Sequence, residues 1–455
     1  MKPLTAQQIA EILGAPVAVG NPAALASCGV STDTRTLSRG AVFFALRGEN
    51  FDGDKFAKAA LDSGATVVVV HKWTGDVVPE GAAVIEVADT LLALQRLAHW
   101  WRKQLDIPVV AITGSNGKTS TKDFTTAVLA RKFRVSATRG NLNNHIGVPL
   151  SVLATTPEHE VAVWEMGMNH SGEIAPLCEI ARPKYGIITN IGTAHIEFLG
   201  TRDAIAEEKG MLGRALPADG ILFIPAICEY SEYLRQRTKG HIVPVGNGRG
   251  LVRAEDLRLE IDRTVFNLVI EGEGSAQVTL PVPGKHMITN ALLAAGVGWK
   301  LGVPLAEIAA GLSSATLTGG RLHSYQSKGI TVIDDTYNAN PESMAAAIET
   351  IADMPVANGA RRIVVLGRMG ELGAHAEAAH LRAGELAAER GLTVIAVGEG
   401  AEGIARGADD APFFPVLEDA AKWISGEVKS GDVVLFKGSR TATVEKVMNS
   451  ALPRD

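Results

Sequence analysis

Apolar positions along the chain follow two rhythms. Short runs of beta-branched and aliphatic residues, bounded by Gly, Pro or polar positions, fall at Ala41–Leu46, Thr66–Val70, Pro108–Ile112, Val161–Trp164 and Tyr185–Ile191. Runs of that length and composition predict buried strands. Between them, apolar residues recur three and four apart, as in Leu4–Leu13 and in Lys55–Ser63, which Gly64 closes. Asp89 is placed to cap a helix reaching about Gln104, with Leu91, Leu94, Leu97, Ala98 and Trp101 along one core-facing side. Residues 251–282 change rhythm: Leu257, Leu259 and Ile261, then Phe266, Leu268 and Ile270, then Val278 and Leu280 alternate with period two. That predicts antiparallel strands with turns at Gly272 and Gly274. A small-residue helix, Ala291–Trp299, follows Gly284, and the Ser/Thr/Gly-rich stretch Ser313–Gly320 reads as a hinge. Beyond it, strand-like Ile330–Asp334, Arg362–Leu366, Leu392–Val397 and Val433–Phe436 are separated by helical patterns such as Ser343–Ile351 and Ala376–Glu389. Strand and helix in alternation predict a doubly wound sheet.

The expected fold is therefore α/β in three domains. Residues 1–88 form a small α/β domain. Residues 89–316 form a central P-loop ATPase-like parallel sheet with an added antiparallel section, and residues 317–455 a Rossmann-like doubly wound domain. A length of 455 residues agrees with that count, at roughly 150 residues per domain. With 46% hydrophobic and 21% charged residues the composition is that of a globular protein. The net charge of −6 argues against a nucleic-acid binder held by phosphate contacts. No run approaches the ~20 apolar residues of a membrane span, and the start, MKPLTAQQIA, lacks an apolar signal core. Cys28, Cys178 and Cys228 share no metal-ligand spacing and fit a reducing cytoplasm.

The sharpest chemical signal is Ala111-Ile-Thr-Gly-Ser-Asn-Gly-Lys-Thr-Ser-Thr121. A strand runs into Gly114 and Gly117, and a helical pattern begins at Lys118 and Thr119. In that layout backbone N–H groups and a helix N-terminus cradle phosphate oxygens, the lysine neutralises charge and the hydroxyl reaches Mg2+. The spacing departs from the Walker pattern, whose first glycine would fall where Ile112 stands. A tight turn with an exposed lysine is the competing reading, and strand, two glycines, Lys-Thr and helix together outweigh it.

Glu165 ends the Val161–Trp164 run, and His195 closes Gly192-Thr-Ala-His195 after the Tyr185–Ile191 run. Both should lie at the carboxyl edge that carries the loop, where open α/β sheets bind ligands. Singly, a capping glutamate and a satisfied histidine explain them better; their shared position favours a ligand role, with Glu165 reaching Mg2+ held by ATP. Asn141, Asn143 and Asn144 offer amides suited to sugar or phosphate, and are also turn formers. Ser31-Thr-Asp-Thr-Arg35 and Arg47–Gly53 are polar loops that fit ligand binding and plain turn chemistry equally. Lys209, in Ala-Ile-Ala-Glu-Glu-Lys-Gly, is by charge a poor neighbour for a cation, and solvation at the surface is its default. Gly367-x-x-Gly370-x-x-Gly373 has the wrong spacing for a dinucleotide fingerprint.

Together these segments resemble the Mur ligase family, ATP-dependent amide-forming enzymes of peptidoglycan precursor synthesis. The resemblance covers almost the whole chain in the family's three-domain order. It rests on Thr113-Gly-x-x-Gly-Lys-Thr119, Glu165, the His195-to-Lys209 spacing and Gly284-x-His-x-x-x-Asn290. The loop without its first glycine is shared with folylpolyglutamate synthetases. Asn141-Leu-Asn-Asn-His-Ile-Gly-Val-Pro149, Asp334-Asp-Thr-Tyr-Asn-Ala-Asn-Pro341 and Leu366-Gly-Arg-Met-Gly-Glu-Leu-Gly373 are most similar to the member acting on UDP-N-acetylmuramoyl-tripeptide and D-alanyl-D-alanine. The member that adds the third residue usually carries an Asp-Tyr-Ala-His type sequence where this chain has Asp335-Thr-Tyr-Asn338. Two departures stand out: Asp33-Thr34-Arg35 replaces the common Asp-Ser-Arg and keeps the hydroxyl, and Arg368 stands where an acidic residue is usual.

The resemblance implies an acyl-phosphate mechanism in which Lys118, His195, Lys209 and Arg321 carry catalysis. The nucleotide site would comprise Thr113, Gly114, Ser115, Asn116, Gly117, Lys118, Thr119 and Ser120, with Asn290 at adenine and Asp335 at ribose. Arg321 would reach the phosphates when the third domain closes. Thr119 and Glu165 would hold one Mg2+, and His195 with a carbamylated Lys209 a second. Thr32, Thr34, Arg35, Gly48 and Asn50 would form the uridine site, and Asn141, Asn143 and Asn144 would meet the UDP-sugar region. It implies a cytoplasmic enzyme, expected as a monomer. Rival readings are the third-residue ligase, folylpolyglutamate synthetase, and a switch or motor ATPase answering to a protein partner.

Overall fold

The structure, a computed structural model, describes residues 1–48, 51–75 and 77–455. Three main sheets carry the fold. The first has five strands in the order Val17–Gly20, Ala83–Glu86, Val67–Val70, Val42–Phe44, Val30–Ser31. Its last four are parallel and its first antiparallel. Every residue of Val67–Val70 is buried, because helices and loops cover both faces of a parallel sheet.

The central sheet has nine strands: Val135–Ala137, Val161–Glu165, Val109–Thr113, Tyr185–Ile188, Ile221–Pro225, His241–Asn247, Val252–Leu259, Thr264–Ile270 and Gly274–Leu280. The strand feeding the glycine loop, Val109–Thr113, lies between the strand that ends at Glu165 and the one that leads to His195. Ile112 is in register with Glu165, and Thr113 with Ile188. Three strand ends therefore open side by side, which is what makes a site there possible. The strand expected to reach Ile191 stops at Ile188, and the residues beyond it turn toward the loop.

The antiparallel section is not a separate layer but the continuation of this sheet. A bulge between Glu255 and Arg258, with Asp256 at φ 53°, inserts one residue. That extra residue explains the change of parity in the sequence: Val252 and Ala254 before it, and Leu257 and Leu259 after it, share the face that meets Phe266, Leu268 and Ile270.

The third sheet runs His323–Ser327, Ile330–Asp335, Val433–Lys437, Arg362–Gly367, Thr393–Val397, Phe413–Phe414, parallel except for the first strand. The last long strand, Val433–Lys437, fills the gap left between Ile330–Asp335 and Arg362–Gly367, so the carboxyl-end crevice opens beside Asp335 and Lys437. The helix Thr90–Gln104 joins the first two units. Asp89 caps it by accepting from Leu92 N at 2.9 Å, and Leu94, Leu97, Ala98 and Trp101 are buried while Leu91 is only half-buried. Helix Leu305–Ser313 ends where the hinge was expected, and Thr318 N in that linker donates to Asp123 Oδ2 at 2.8 Å. Among the described residues no helix is long and apolar enough to cross a membrane.

Candidate active site

The glycine loop is shaped by what it touches. Gly114 sits at φ 147°, and a Cβ there would lie 1.8 Å from Thr189 Oγ1. Gly117, at φ 77°, would meet Asn290 Oδ1 at 2.6 Å. Both positions therefore require glycine. Asn190 braces the loop twice: its O accepts from Ser115 N at 3.1 Å and its Oδ1 from Asn116 N at 2.9 Å. Gly192 N donates to Ser115 Oγ at 2.9 Å, and Thr189 Oγ1 donates to Asn116 O. Thr189 and Asn190 were not singled out from sequence; the signal was there, in polar residues directly following an apolar strand run.

Helix Lys118–Leu129 starts at Gly117 with no side-chain cap. Its first-turn N–H groups and the positive end of its dipole suit an anion. Lys118 Nζ donates to Gly114 O at 2.7 Å and to Ser115 O at 3.3 Å. Burial pulls this ammonium below its ordinary value, Glu165 and Glu371 oppose the shift, and Arg321 adds to it. Thr113 and Ser120 are buried on either side of the loop.

Glu165 is buried with its oxygens shared. Thr119 Oγ1 donates to its Oε2 at 2.9 Å and Asn143 Nδ2 to its Oε1 at 2.8 Å. Arg321 crosses from the third unit: its Nη2 is 3.0 Å from Thr119 Oγ1, its guanidinium lies 3.8 Å from the centre of the Tyr337 ring, and its Nη1 is buried without a partner among the described residues. An unmet guanidinium donor beside a half-buried lysine and an uncapped helix suits phosphate oxygens. The Thr119 hydroxyl and Glu165 carboxylate fit Mg2+, a hard cation that takes oxygen ligands and keeps phosphates and waters in its shell. Among the described residues no three His, Cys, Asp or Glu side chains converge as a self-sufficient metal site. A cation here would draw the rest of its shell from the nucleotide and water.

His195 precedes the short helix Ile196–Leu199 in a left-handed conformation, φ 64°. Its Nδ1 is 2.6 Å from Glu371 Oε2, a close contact rather than an aligned hydrogen bond. Glu371, given no role from sequence, stands in the Leu366–Gly373 stretch that carried part of the family resemblance. The His195 imidazole holds the Glu371 carboxyl below its usual range against the effect of burial, with Lys118 adding to the pull.

Lys209 is not on the surface, contrary to its default by charge: it is 1% exposed on helix Arg202–Ala215. Burial drives its ammonium well below the ordinary value, and the charge of Lys118 pushes the same way. The helix turns outward at Glu207, which pairs with Arg214 at 2.7 Å, so the charge run splits between a wet face and a dry one.

In the third unit, Lys437 Nζ donates to Asp335 Oδ2 at 2.6 Å and to Asn338 O at 3.0 Å. Burial raises the Asp335 carboxyl even so. Asn340 Nδ2 reaches Asn116 Oδ1 at 2.7 Å, and Asn290 packs on Gly117. The other sequence candidates lie apart. Thr32 and Thr34 are half-buried, and Arg35 is exposed and paired with Asp33 at 2.6 Å. Gly48 lies on the hairpin Arg47–Gly48/Phe51–Asp52, and Asn50 falls outside the described residues. Asn144 acts as a turn former, its Oδ1 accepting from Ile146 N at 3.1 Å and Gly147 N at 2.9 Å; Asn141 O accepts from Asn143 N at 2.8 Å.

Known proteins resemble this chain in sequence and fold. Three family models match: Mur ligase family, catalytic domain, over residues 28–102; Mur ligase middle domain, over 112–298; and Mur ligase, glutamate ligase domain, over 320–440. The chain is 36% identical to the UDP-N-acetylmuramoyl-tripeptide–D-alanyl-D-alanine ligase of Escherichia coli (strain K12), covering 92% of this chain and 93% of that one. Its counterpart in Bacillus subtilis (strain 168) is 37% identical, with 93% of each covered. A crystal structure of MurF from Acinetobacter baumannii superposes with a TM-score of 0.91 at 34% identity over 99% of both chains. MurF ligase from Thermotoga maritima in complex with ADP superposes with a TM-score of 0.82 at 28% identity, over 93% of this chain and 96% of that one. Identity at this level along nearly the whole length, through all three sheets and the loop between them, places the chain in the Mur ligase family.

Proposed function

We propose that this chain joins D-alanyl-D-alanine to UDP-N-acetylmuramoyl-tripeptide, coupled to the cleavage of ATP to ADP and phosphate. The observation that carries the reading is the convergence of Lys118, the Thr119–Glu165 pair and the unmet Nη1 of Arg321 on one uncapped helix N-terminus. The likeness to ligases of that name along the whole chain supports it.

A terminal carboxylate oxygen of the tripeptide bonds to the γ-phosphorus, the bridging bond to the β-phosphate breaks, and ADP leaves. The amine of D-alanyl-D-alanine then bonds to the acyl carbon, the carbon–oxygen bond to phosphate breaks, and the nitrogen loses a proton. Phosphoryl transfer asks the protein mainly for positioning and charge neutralisation. Lys118 and Arg321 supply positive charge from two units, and the loop amides fix the phosphates. Mg2+ held by Thr119 and Glu165 would neutralise phosphate charge. Asn290 would contact adenine and Asp335 the ribose. Thr32, Thr34, Arg35, Gly48 and Asn50 would take the uridine end in residues 1–88, with Asn141, Asn143 and Asn144 toward the sugar. Residues 89–316 would hold the nucleotide, and residues 317–455 would close over it. The reading takes the enzyme as a cytoplasmic monomer.

Lys209 belongs to this reading as a carbamate. Burial favours the neutral form of its amine, the form that attacks CO2; nitrogen bonds to carbon, one proton leaves, and the product is an anion fit to share a second Mg2+ with His195. Lys209→Ala should then lose activity and regain part of it with a short carboxylic acid, whereas an alanine variant of full activity would refute the carbamate.

A phosphate-release assay over a panel of acceptors tests the main reading. Release should require ATP, the tripeptide nucleotide and D-alanyl-D-alanine together. Release with the dipeptide nucleotide and a third-residue amino acid would favour the neighbouring ligase, and release with ATP alone a switch ATPase.

A further inference from the structure

Two side-chain amides meet where the third unit touches the glycine loop. Asn340, at the start of helix Pro341–Asp353, donates through Nδ2 to Asn116 Oδ1 at 2.7 Å. The backbone settles which end of each amide faces which partner. Ser343 N can only donate, and it meets the Asn340 side chain at 3.0 Å, so the atom it meets is Oδ1. The other end of Asn340 is therefore the NH2 group. A donor there needs an acceptor opposite, so Asn116 turns its Oδ1 to the third unit and its Nδ2 away from it.

Asn116 has little other freedom. Its N donates to Asn190 Oδ1 at 2.9 Å, and its O accepts from Thr189 Oγ1. With both backbone groups held, only the side-chain torsions remain, and Asn340 fixes those. Asn116 Nδ2 is buried and has no partner among the described residues. An amide donor shut away from water without an acceptor costs free energy that an arriving anion relieves. Arg321 Nη1 is in the same state, and its Nη2 is 3.0 Å from Thr119 Oγ1, three residues along from Asn116. One unmet donor thus comes from each unit.

We infer that Asn116 Nδ2 donates to a phosphate oxygen of the bound nucleotide, and that Asn340 is the positioning residue that sets this amide from the third unit. The loop then has its last donor correctly turned only while the third unit is closed, so phosphate binding and closure strengthen one another. The inference rests on the reading of the loop as the seat of ATP given above.

Calorimetry of a non-hydrolysable ATP analogue on the full chain tests it, in a double-mutant cycle of Asn340→Ser, Asn116→Ala and the pair. Serine is neutral, still accepts from Ser343 N and so keeps the helix cap, but is too short to reach Asn116. Asn116→Ala should weaken analogue binding about tenfold or more, as a hydrogen bond to a charged group is lost. Asn340→Ser should give part of that loss, and no further loss in the Asn116→Ala background. Asn340→Asp keeps the shape and the cap but offers only acceptors. It should draw the Asn116 NH2 round to itself and weaken binding more than serine does. Thermal melts of both Asn340 variants should match the wild type, which separates mispositioning from misfolding. Equal losses from Asn340→Ser with and without the Asn116 amide, or analogue binding unchanged by Asn340→Ser, would overturn the inference. The binding measurements need no acceptor: a wild-type chain that binds the analogue yet releases no phosphate from ATP with D-alanyl-D-alanine would instead count against the proposed reaction.

Discussion

Gly114 has no room for a side chain, and the obstacle is specific. A methyl group there would lie 1.8 Å from Thr189 Oγ1 and 3.0 Å from Thr189 N, on a backbone at φ 147°. Gly114→Ala should therefore distort the loop, cost about 2–3 kcal/mol of stability, and abolish binding of an ATP analogue by calorimetry. Removing the hydroxyl in Gly114→Ala/Thr189→Ala should restore only part, because the backbone strain and the close nitrogen remain. His286 offers a residue-scale prediction in pH. Burial, and behind it Lys437, pull its imidazole down to about 4 from an ordinary 6.5. Between those values the unfolded chain binds a proton that the folded chain refuses. The His286 contribution is thus complete above about pH 6.5 and is lost as the pH falls toward 4. His286→Gln should flatten the acid side of a stability–pH curve across that window, measured by urea denaturation.

At the scale of elements, helix Ile174–Ala181 has no side-chain cap of its own. Glu208, from the neighbouring helix Arg202–Ala215, supplies one: its oxygens accept from Gly172 N and Ile174 N, each at 2.7 Å. Glu208→Ala should lower the unfolding free energy by about 2–4 kcal/mol, as two charge-assisted bonds are lost in a buried place. Because Lys209 is the next residue, the same change should disturb activity beyond its effect on stability. This pairing marks where the sequence stops being readable. Strand runs, helix stripes and the Gly114–Thr119 loop are local patterns, and all are found close to where the rhythm put them. Glu208 and Lys209 look like surface charges in any window, and only the packing of one helix on another makes one a cap and the other a buried amine. The parity change at Leu257 likewise needs the bulge at Asp256, which no alternation count reveals. Glu371 could not be paired with His195 from sequence, since the contact is made between sheets rather than along the chain.

At the scale of the molecule, the third unit is held on the central one by separate polar contacts around the site. They include Arg321 to Thr119 at 3.0 Å, Asn340 to Asn116 at 2.7 Å, Thr318 to Asp123 at 2.8 Å, Lys285 to Asp353 at 2.8 Å, His195 to Glu371 at 2.6 Å and the Glu342–Thr193 pair at 2.8 and 3.0 Å. An interface clasped this way can open and close with the reaction, which must admit three substrates and then exclude water. Glu342 is the cleanest handle on that equilibrium. Asn340 also caps its own helix, through Ser343 N at 3.0 Å, and Arg321 is assigned to phosphate, whereas among the described residues the Glu342 carboxylate takes its hydrogen bonds from Thr193 alone. Glu342→Ala would leave the Thr193 N–H and hydroxyl without partners in the closed form alone. A penalty of about 1–3 kcal/mol on that form shifts the open-to-closed ratio roughly 5- to 150-fold. Small-angle scattering with ATP analogue and tripeptide nucleotide should then show a larger radius of gyration for the variant than for the wild type. kcat should fall with it, and ATP affinity should weaken as well, because Arg321 and Asp335 of the third unit would meet the nucleotide only in the closed form. Superimposable scattering curves together with an unchanged kcat would mean that the Glu342 contact is packing and that closure is governed elsewhere, with Arg321 and the Asp123-anchored linker the next contacts to break.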